Sequence, residues 1–186
     1  MMSQQQHSEP FTMHRECAAV LIPSGDVITL PQGSIGYITQ ALGGSFTVYV
    51  DGNLFRISGQ DADAIGKEPV PPPALPHNAS DEDVEHAVWD QMKTCYDPEI
   101  PINVVDLGLI FRCDIEPNAD GGRDVSIDMT LTAPGCGMGE ILVEDVRSKV
   151  AIIPTVGHVS VDLVFDPPWD RSMMSEEARL QTGMMF

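Results

Sequence analysis

Val125-Ser126-Ile127-Asp128-Met129-Thr130-Leu131-Thr132-Ala133-Pro134-Gly135-Cys136-Gly137-Met138-Gly139 is the stretch that decides the fold. Val125, Ile127, Met129 and Leu131 alternate with polar residues, the period of a strand with one buried face. Ala133 to Gly139 is a glycine-rich loop. Beyond it Leu142, Val146 and Val150 recur every four residues, the stripe of a helix packed on a core. A strand therefore runs through a tight loop into a helix, with a cysteine at the junction.

The pattern extends outward in both directions. Upstream, Leu109, Phe111, Cys113 and Ile115 alternate as a partner strand, and Asn118 to Gly122 turns the chain between the two. Before that, Ser80 can cap a helix, with Asp83 at the third helical position. Val84, Val88, Met92 and Cys95 share that helix's apolar face. Asp97-Pro98-Glu99-Ile100-Pro101 ends it in a stiff loop. Downstream, Val159, Val161, Leu163 and Phe165 predict a third strand, stopped by Asp166-Pro167-Pro168-Trp169-Asp170. A short helix near Ser175 to Thr182 follows. The expected order over residues 81–186 is α-β-β-α-β-α, an α+β two-layer sandwich.

Residues 67–80, KEPVPPPALPHNAS, are too rich in proline for helix or central strand, and predict a semi-rigid connector. Residues 15–66 carry short apolar runs broken by turn signals and predict a small all-β module. Asp51-Gly52 marks its clearest hairpin, between Phe46, Val48, Val50 and Leu54, Phe55, Ile57. Residues 1–14 are polar and predict a loose tail.

Composition narrows the function. There are 28 acidic residues against 10 basic ones, a formal net charge of -18. Such a surface repels phosphate backbones, so nucleic acid is not expected as a partner. No apolar run is long enough to span a bilayer. The four cysteines, Cys17, Cys95, Cys113 and Cys136, form no C-x-x-C, and the five histidines show no ligand spacing. This suits a reducing compartment, and the expected location is the cytoplasm. P-loop and dinucleotide-binding fingerprints are absent.

Cys136 is the foremost candidate for chemistry. Glycines flank it, and a helix amino terminus lowers a thiol pKa. A thiolate is what soft metal ligation or sulfur chemistry requires. The plainer alternative is a small residue in a tight turn. Cys95 and Cys113 fall on predicted core faces, where cysteine is a small hydrophobe. Asp97 and Glu99 could bind a metal or a partner, but a turn cap and a solvated carboxylate account for them as well. Asp106 has the same two readings. Thr130 and Thr132 point off the apolar face of their strand towards the Cys136 loop, and strand propensity alone would also place them there.

Asp97-Pro98-Glu99-Ile100-Pro101 with Val105-Asp106-Leu107-Gly108-Leu109-Ile110 resembles the opening signature of the PaaD/SufT-type iron–sulfur assembly domain family. Met129 to Cys136 is similar to its second signature, which ends in the family's reactive cysteine. Gly135-Cys136-Gly137-Met138-Gly139, Ile38 to Ser45, and Phe165-Asp166-Pro167-Pro168-Trp169 resemble the SufT branch, so the likeness spans about residues 15 to 182. Many members place proline after the cysteine, where this chain has Gly137.

The resemblance implies a non-enzymatic factor in iron–sulfur cluster assembly that delivers or inserts clusters into client proteins. Cys136 would be its functional thiol and metal ligand, with Asp97, Glu99, Asp106, Thr130 and Thr132 in support. The implied cargo is a transient iron–sulfur cluster or iron. Implied partners are iron–sulfur clients, scaffold or carrier proteins, and a second copy of the chain, because one thiolate cannot close a site usually built from four ligands. Two other readings stay open: a cysteine-dependent sulfur-transfer or thiol-redox enzyme, and a metal-free adaptor.

Overall fold

A computed structural model describes residues 8–97, 100, 102–133 and 139–183. The chain forms two compact units, divided between Pro71 and Pro72.

The amino-terminal unit is one six-stranded antiparallel sheet. Its strands are β1 (Glu9–Thr12), β2 (Cys17–Ile22), β3 (Val27–Leu30), β4 (Ile35–Leu42), β5 (Ser45–Val50) and β6 (Asn53–Ser58). The spatial order is β1-β4-β5-β6-β2-β3. Phe11, Met13, Val48, Val50, Phe55 and Ile57 lie on its inner face and form the core. The Asp51-Gly52 turn joins β5 to β6 with φ of 48° and 84°, the left-handed pair that the hairpin signal requires.

Two expectations fail here. Residues 9–12 are not tail: they pair with β4, and Phe11 packs inward opposite Gly36. A four-residue strand with one buried apolar side chain leaves no periodicity to read. Gly59–Ile65 is 3-10 helix rather than extended chain, capped by Ser58 and burying Ala62, Ala64 and Ile65.

The carboxyl-terminal unit holds α1 (Asp81–Met92), β7 (Ile110–Pro117), β8 (Arg123–Met129), α2 (Gly139–Ala151), β9 (Val156–Leu163) and α3 (Glu176–Thr182). β7 pairs antiparallel with β8, and β8 pairs parallel with β9. The α+β class and the element order are as the periodicities require. Ser80 and Asp83 form a reciprocal capping box: Asp83 N–H donates to Ser80 Oγ at 3.1 Å, and Ser80 N–H donates to Asp83 Oδ2 at 2.9 Å. Val84, Val88 and Met92 are fully buried against Leu142, Val146 and Val150 of α2 and the sheet residues Val125, Ile127 and Met129. Each such side chain stabilises the fold by about 1.5–3 kcal/mol relative to exposure. The two longer helices are also clasped through polar groups. Gln91 Nε2 donates to Lys149 O at 2.8 Å, and Lys149 Nζ donates to Thr94 O at 2.7 Å.

The strand alternation is broken at one point. A bulge between Ile110 and Arg112 gives Phe111 no partner in the β7–β8 register. Ile110, Cys113 and Ile115 pack on the core, and Phe111 does not. An extra residue in one strand reverses the facing of everything on one side of it, which simple alternation cannot anticipate. Phe165 also departs from expectation. It lies past the end of β9 and is half exposed.

Candidate functional site

The residues singled out in the sequence fall on the loop between α1 and β7 and on the segment leaving β8. The α1–β7 loop is tied at its base by Asp97 N–H to Ile102 O (3.1 Å) and Val104 N–H to Cys95 O (2.8 Å). Asp97 is buried, and its carboxylate accepts the Ile100 N–H at 3.0 Å. That is the turn-capping role, performed inside the protein.

Asp106 sits on the far limb of this loop, in a turn organised by Asn103. The Asn103 side-chain oxygen accepts the N–H groups of Val105 (3.0 Å) and Asp106 (2.9 Å). Its amide nitrogen donates to Asp106 Oδ2 at 2.6 Å. Asn103 was not anticipated. Its signal is the Asn-x-x-Asp spacing, since asparagine hydrogen-bonds to backbone two or three residues on.

The carboxyl-terminal segment locks the same loop from outside. Trp169 Nε1 donates to Leu107 O at 2.6 Å, and Ser175 N–H donates to Asp106 O at 2.7 Å. Gly108, at φ +74°, lies so close to Met173 that a Cβ there would stand 2.1 Å from the Met173 carbonyl oxygen. Two motifs far apart in sequence, Val105–Ile110 and Phe165–Trp169 with its continuation, thus meet.

Thr130 joins this loop to the segment after β8. Its N–H donates to Leu109 O at 2.8 Å. Its side chain is 1% exposed, and Oγ1 has no hydrogen-bond partner among the described residues. It is therefore buried rather than merely turned from the apolar face. A buried hydroxyl without a partner costs free energy, so its retention calls for an explanation. Thr132 is half-buried two residues on. Gly139, the first residue of α2, packs where a Cβ would come 2.8 Å from Leu131 Cδ1, so the helix starts tightly against the strand's extension. The structure thus brings Asp106, Thr130 and Thr132 to one end of the sheet. Asp97 is held at the base of the same loop. Glu99 and Cys136 lie outside the described residues.

The other cysteines are free thiols. Cys95 and Cys17 are buried, and burial pushes the Cys17 thiol above its ordinary pKa. Cys113 is half-buried on β7. Burial, followed by the carboxylates of Glu85 and Asp114, pushes it up to about 11. Among the described residues no group of three or more His, Cys, Asp or Glu side chains could hold a metal ion. None of their helices is long and apolar enough to cross a membrane.

Comparison with known proteins bears on what this arrangement is for. The model of a family described as iron–sulfur cluster assembly protein matches residues 85–162, within the carboxyl-terminal unit. The chain is 48% identical over 101 residues to an Fe-S protein maturation auxiliary factor of Porphyromonas gingivalis, spanning 54% of this chain and 92% of that protein. It is 38% identical over 88 residues to the Fe-S protein maturation auxiliary factor SufT of Staphylococcus aureus, spanning 47% and 96%. A solved Bacillus anthracis domain of unknown function, DUF59, is similar at 30% identity, covering 55% of this chain and 94% of that one with a TM-score of 0.48. These matches cover about half of the chain, less than the span over which the motifs alone suggested a likeness.

Proposed function

Because the chain belongs to the iron–sulfur cluster assembly protein family and serves iron–sulfur cluster assembly and maturation, we propose that it is a carrier without catalytic turnover, whose Cys136 thiolate gives one ligand to a cluster in transit. The observation that carries this reading is the state of the other thiols. A cluster ligand must be a thiolate that the cargo can reach. Cys17 and Cys95 are buried, and Cys113 is held protonated at neutral pH. None of the three fits the cargo's needs, which leaves Cys136. One thiolate cannot complete a cluster site, so further ligands come from a scaffold or carrier protein, a client or a second copy of the chain. The free thiols suit a reducing compartment, and we place the protein in the cytoplasm.

The described residues of the loop bearing Asp97 and Asp106 are braced by backbone and Trp169 hydrogen bonds, and these two carboxylates serve the loop itself rather than a ligand set. Both carboxylates already accept hydrogen bonds within it. Thr130 and Thr132 stand at the root of the segment that leads to Cys136. We infer that the Thr130 hydroxyl serves that segment, since among the described residues nothing else uses it.

Anaerobic cluster reconstitution of wild type, Cys136→Ala and Thr130→Val tests this. Absorbance, iron and sulfide content, and size are measured on each. Wild type is expected to bind cluster and Cys136→Ala to lose it. Thr130→Val is expected to bind several-fold less while melting no lower, because it removes only an unpartnered hydroxyl. A persulfide on Cys136 with turnover of a sulfur donor would replace the carrier reading by an enzymatic one. Full function of Cys136→Ala in cells would leave a metal-free adaptor.

A further inference from the structure

We propose that a cleft on the outer face of the carboxyl-terminal sheet is where a partner protein docks, through a segment that sets one large apolar side chain into it with a lysine or arginine alongside. The cleft encloses about 620 Å³, the size of a binding pocket. Its apolar wall is Ile110, Phe111, Val164, Pro167 and Met173. Phe111 and Val164 pack on neither hydrophobic core. The β7 bulge leaves Phe111 out of the strand register, so an aromatic ring stands in the wall of a concave surface, the setting in which interfaces seat their anchors. The place matters for function. Asp128, at the rim, comes just before Met129 and Thr130, and Ile110 follows Leu109, whose carbonyl accepts the Thr130 N–H. A protein held here is held at the end of the sheet from which the chain runs on to Cys136.

Charge selects the occupant. The strand registers put Arg112, Asp128 and Asp162 side by side across β7, β8 and β9. Arg112 is the one cation of this row, and two carboxylates already share it: Asp128 at 2.8 Å, and Asp114. Asp162 and Asp166 meet no cation among the described residues, and Asp166 lines the cleft itself. Like charges in register, as Asp128 and Asp162 are, oppose each other, and an arriving cation relieves that. An acidic partner would meet this excess and be repelled, as would a second copy of a chain with formal net charge -18. A basic residue beside an apolar anchor satisfies both halves of the cleft. Burial of the anchor supplies affinity, and the cation supplies register and discrimination between partners.

The inference rests on the carrier reading only in naming that partner as a client, scaffold or carrier protein. The docking is tested apart from it, on metal-free full-length protein. The probe is the capped peptide Gly-Lys-Phe-Leu-Lys-Gly. One control peptide has glutamate for both lysines, and another has alanine for Phe and Leu. In a titration followed by nitrogen–proton NMR spectra, the probe should shift the amide signals of Phe111, Arg112, Val164 and Met173 together. Both controls should bind roughly fivefold or more weakly. Salt should weaken binding of the probe, because its cations act at an exposed rim. Phe111→Ala and Asp166→Asn should each weaken it several-fold, and the exposed Asp166→Asn serves should Phe111→Ala fail to fold. Cys136→Ala should bind the probe as wild type does, so failure of the cluster reading leaves this result standing. No binding at millimolar peptide overturns the proposal. So do shifts spread over the acidic surface at large, an alanine peptide that binds equally, which is charge alone, or a glutamate peptide that binds equally, which is an apolar slot without the selection by charge.

Discussion

Cys113 shows how far a thiol's surroundings decide what it can do. It is half-buried on β7, close enough to Glu85 and Asp114 for their charges to oppose its ionisation, and its pKa is pushed up to about 11. At pH 8 only about 0.1% of such a thiol is ionised, against about a quarter of an ordinary one. Iodoacetamide at pH 8 should therefore label Cys113 roughly two-hundredfold more slowly in the native protein than in urea, read by peptide mass spectrometry. The same shift carries a sign for stability. The folded chain keeps this proton above the pH at which the unfolded chain releases it. Its contribution is thus full at neutral pH and lost as pH rises from about 8.5 towards 11. A Cys113→Ala variant should show a flatter fall of melting temperature over that window. The burial of Cys95 was legible, but not its place: α1 ends at Met92, and Cys95 reaches the core from the loop beyond the helix. The Asn103 turn and the orphan Thr130 hydroxyl were not legible either, because periodicity reports which face a residue takes and not which polar partner it finds there.

At the scale of elements, the strongest periodicities translated directly. The α1 face of Val84, Val88 and Met92, its Ser80–Asp83 box, and the inward row of β8 stand where the spacing puts them. What spacing missed are the places where an element is altered by a neighbour distant in sequence. The bulge at Phe111 changes the facing of β7, and the carboxyl-terminal segment closes on the Val105–Ile110 loop. Gly108 is where the two approach most closely. Alanine there would need both φ +74° and space that the Met173 carbonyl occupies. Gly108→Ala should cost about 2 kcal/mol or more and free the segment from Arg171 to Met174. Chemical denaturation measures the first effect. Faster amide exchange at Ser175, whose N–H is held by Asp106 O, measures the second. An exchange rate unchanged at Ser175 would mean that the segment is fixed by other contacts.

For the molecule as a whole, charge is the term that conditions can move furthest. Ion pairs are present on the surface, Arg15 with Asp61 and Asp63 and Lys67 with Glu9 among them, and the members of these three pairs are substantially exposed. Each is worth about 0–1 kcal/mol at most and weakens with salt. Set against them is a chain of 28 acidic and 10 basic residues, in which most charge pairs repel. Repulsion should win, so salt should stabilise rather than destabilise. Raising sodium chloride from about 10 mM to 0.5 M shortens the screening length from about 30 Å to a few ångströms. A gain of about 1 kcal/mol for a chain of this size corresponds to roughly 2–4 °C in melting temperature. Association of copies would also respond to salt, and dilution separates the two. A gain from screened self-repulsion is independent of protein concentration, whereas one from association grows with it. Melting the protein at two concentrations therefore resolves both contributions. A melting temperature that falls with salt at high dilution would mean that the surface ion pairs outweigh the excess of carboxylates.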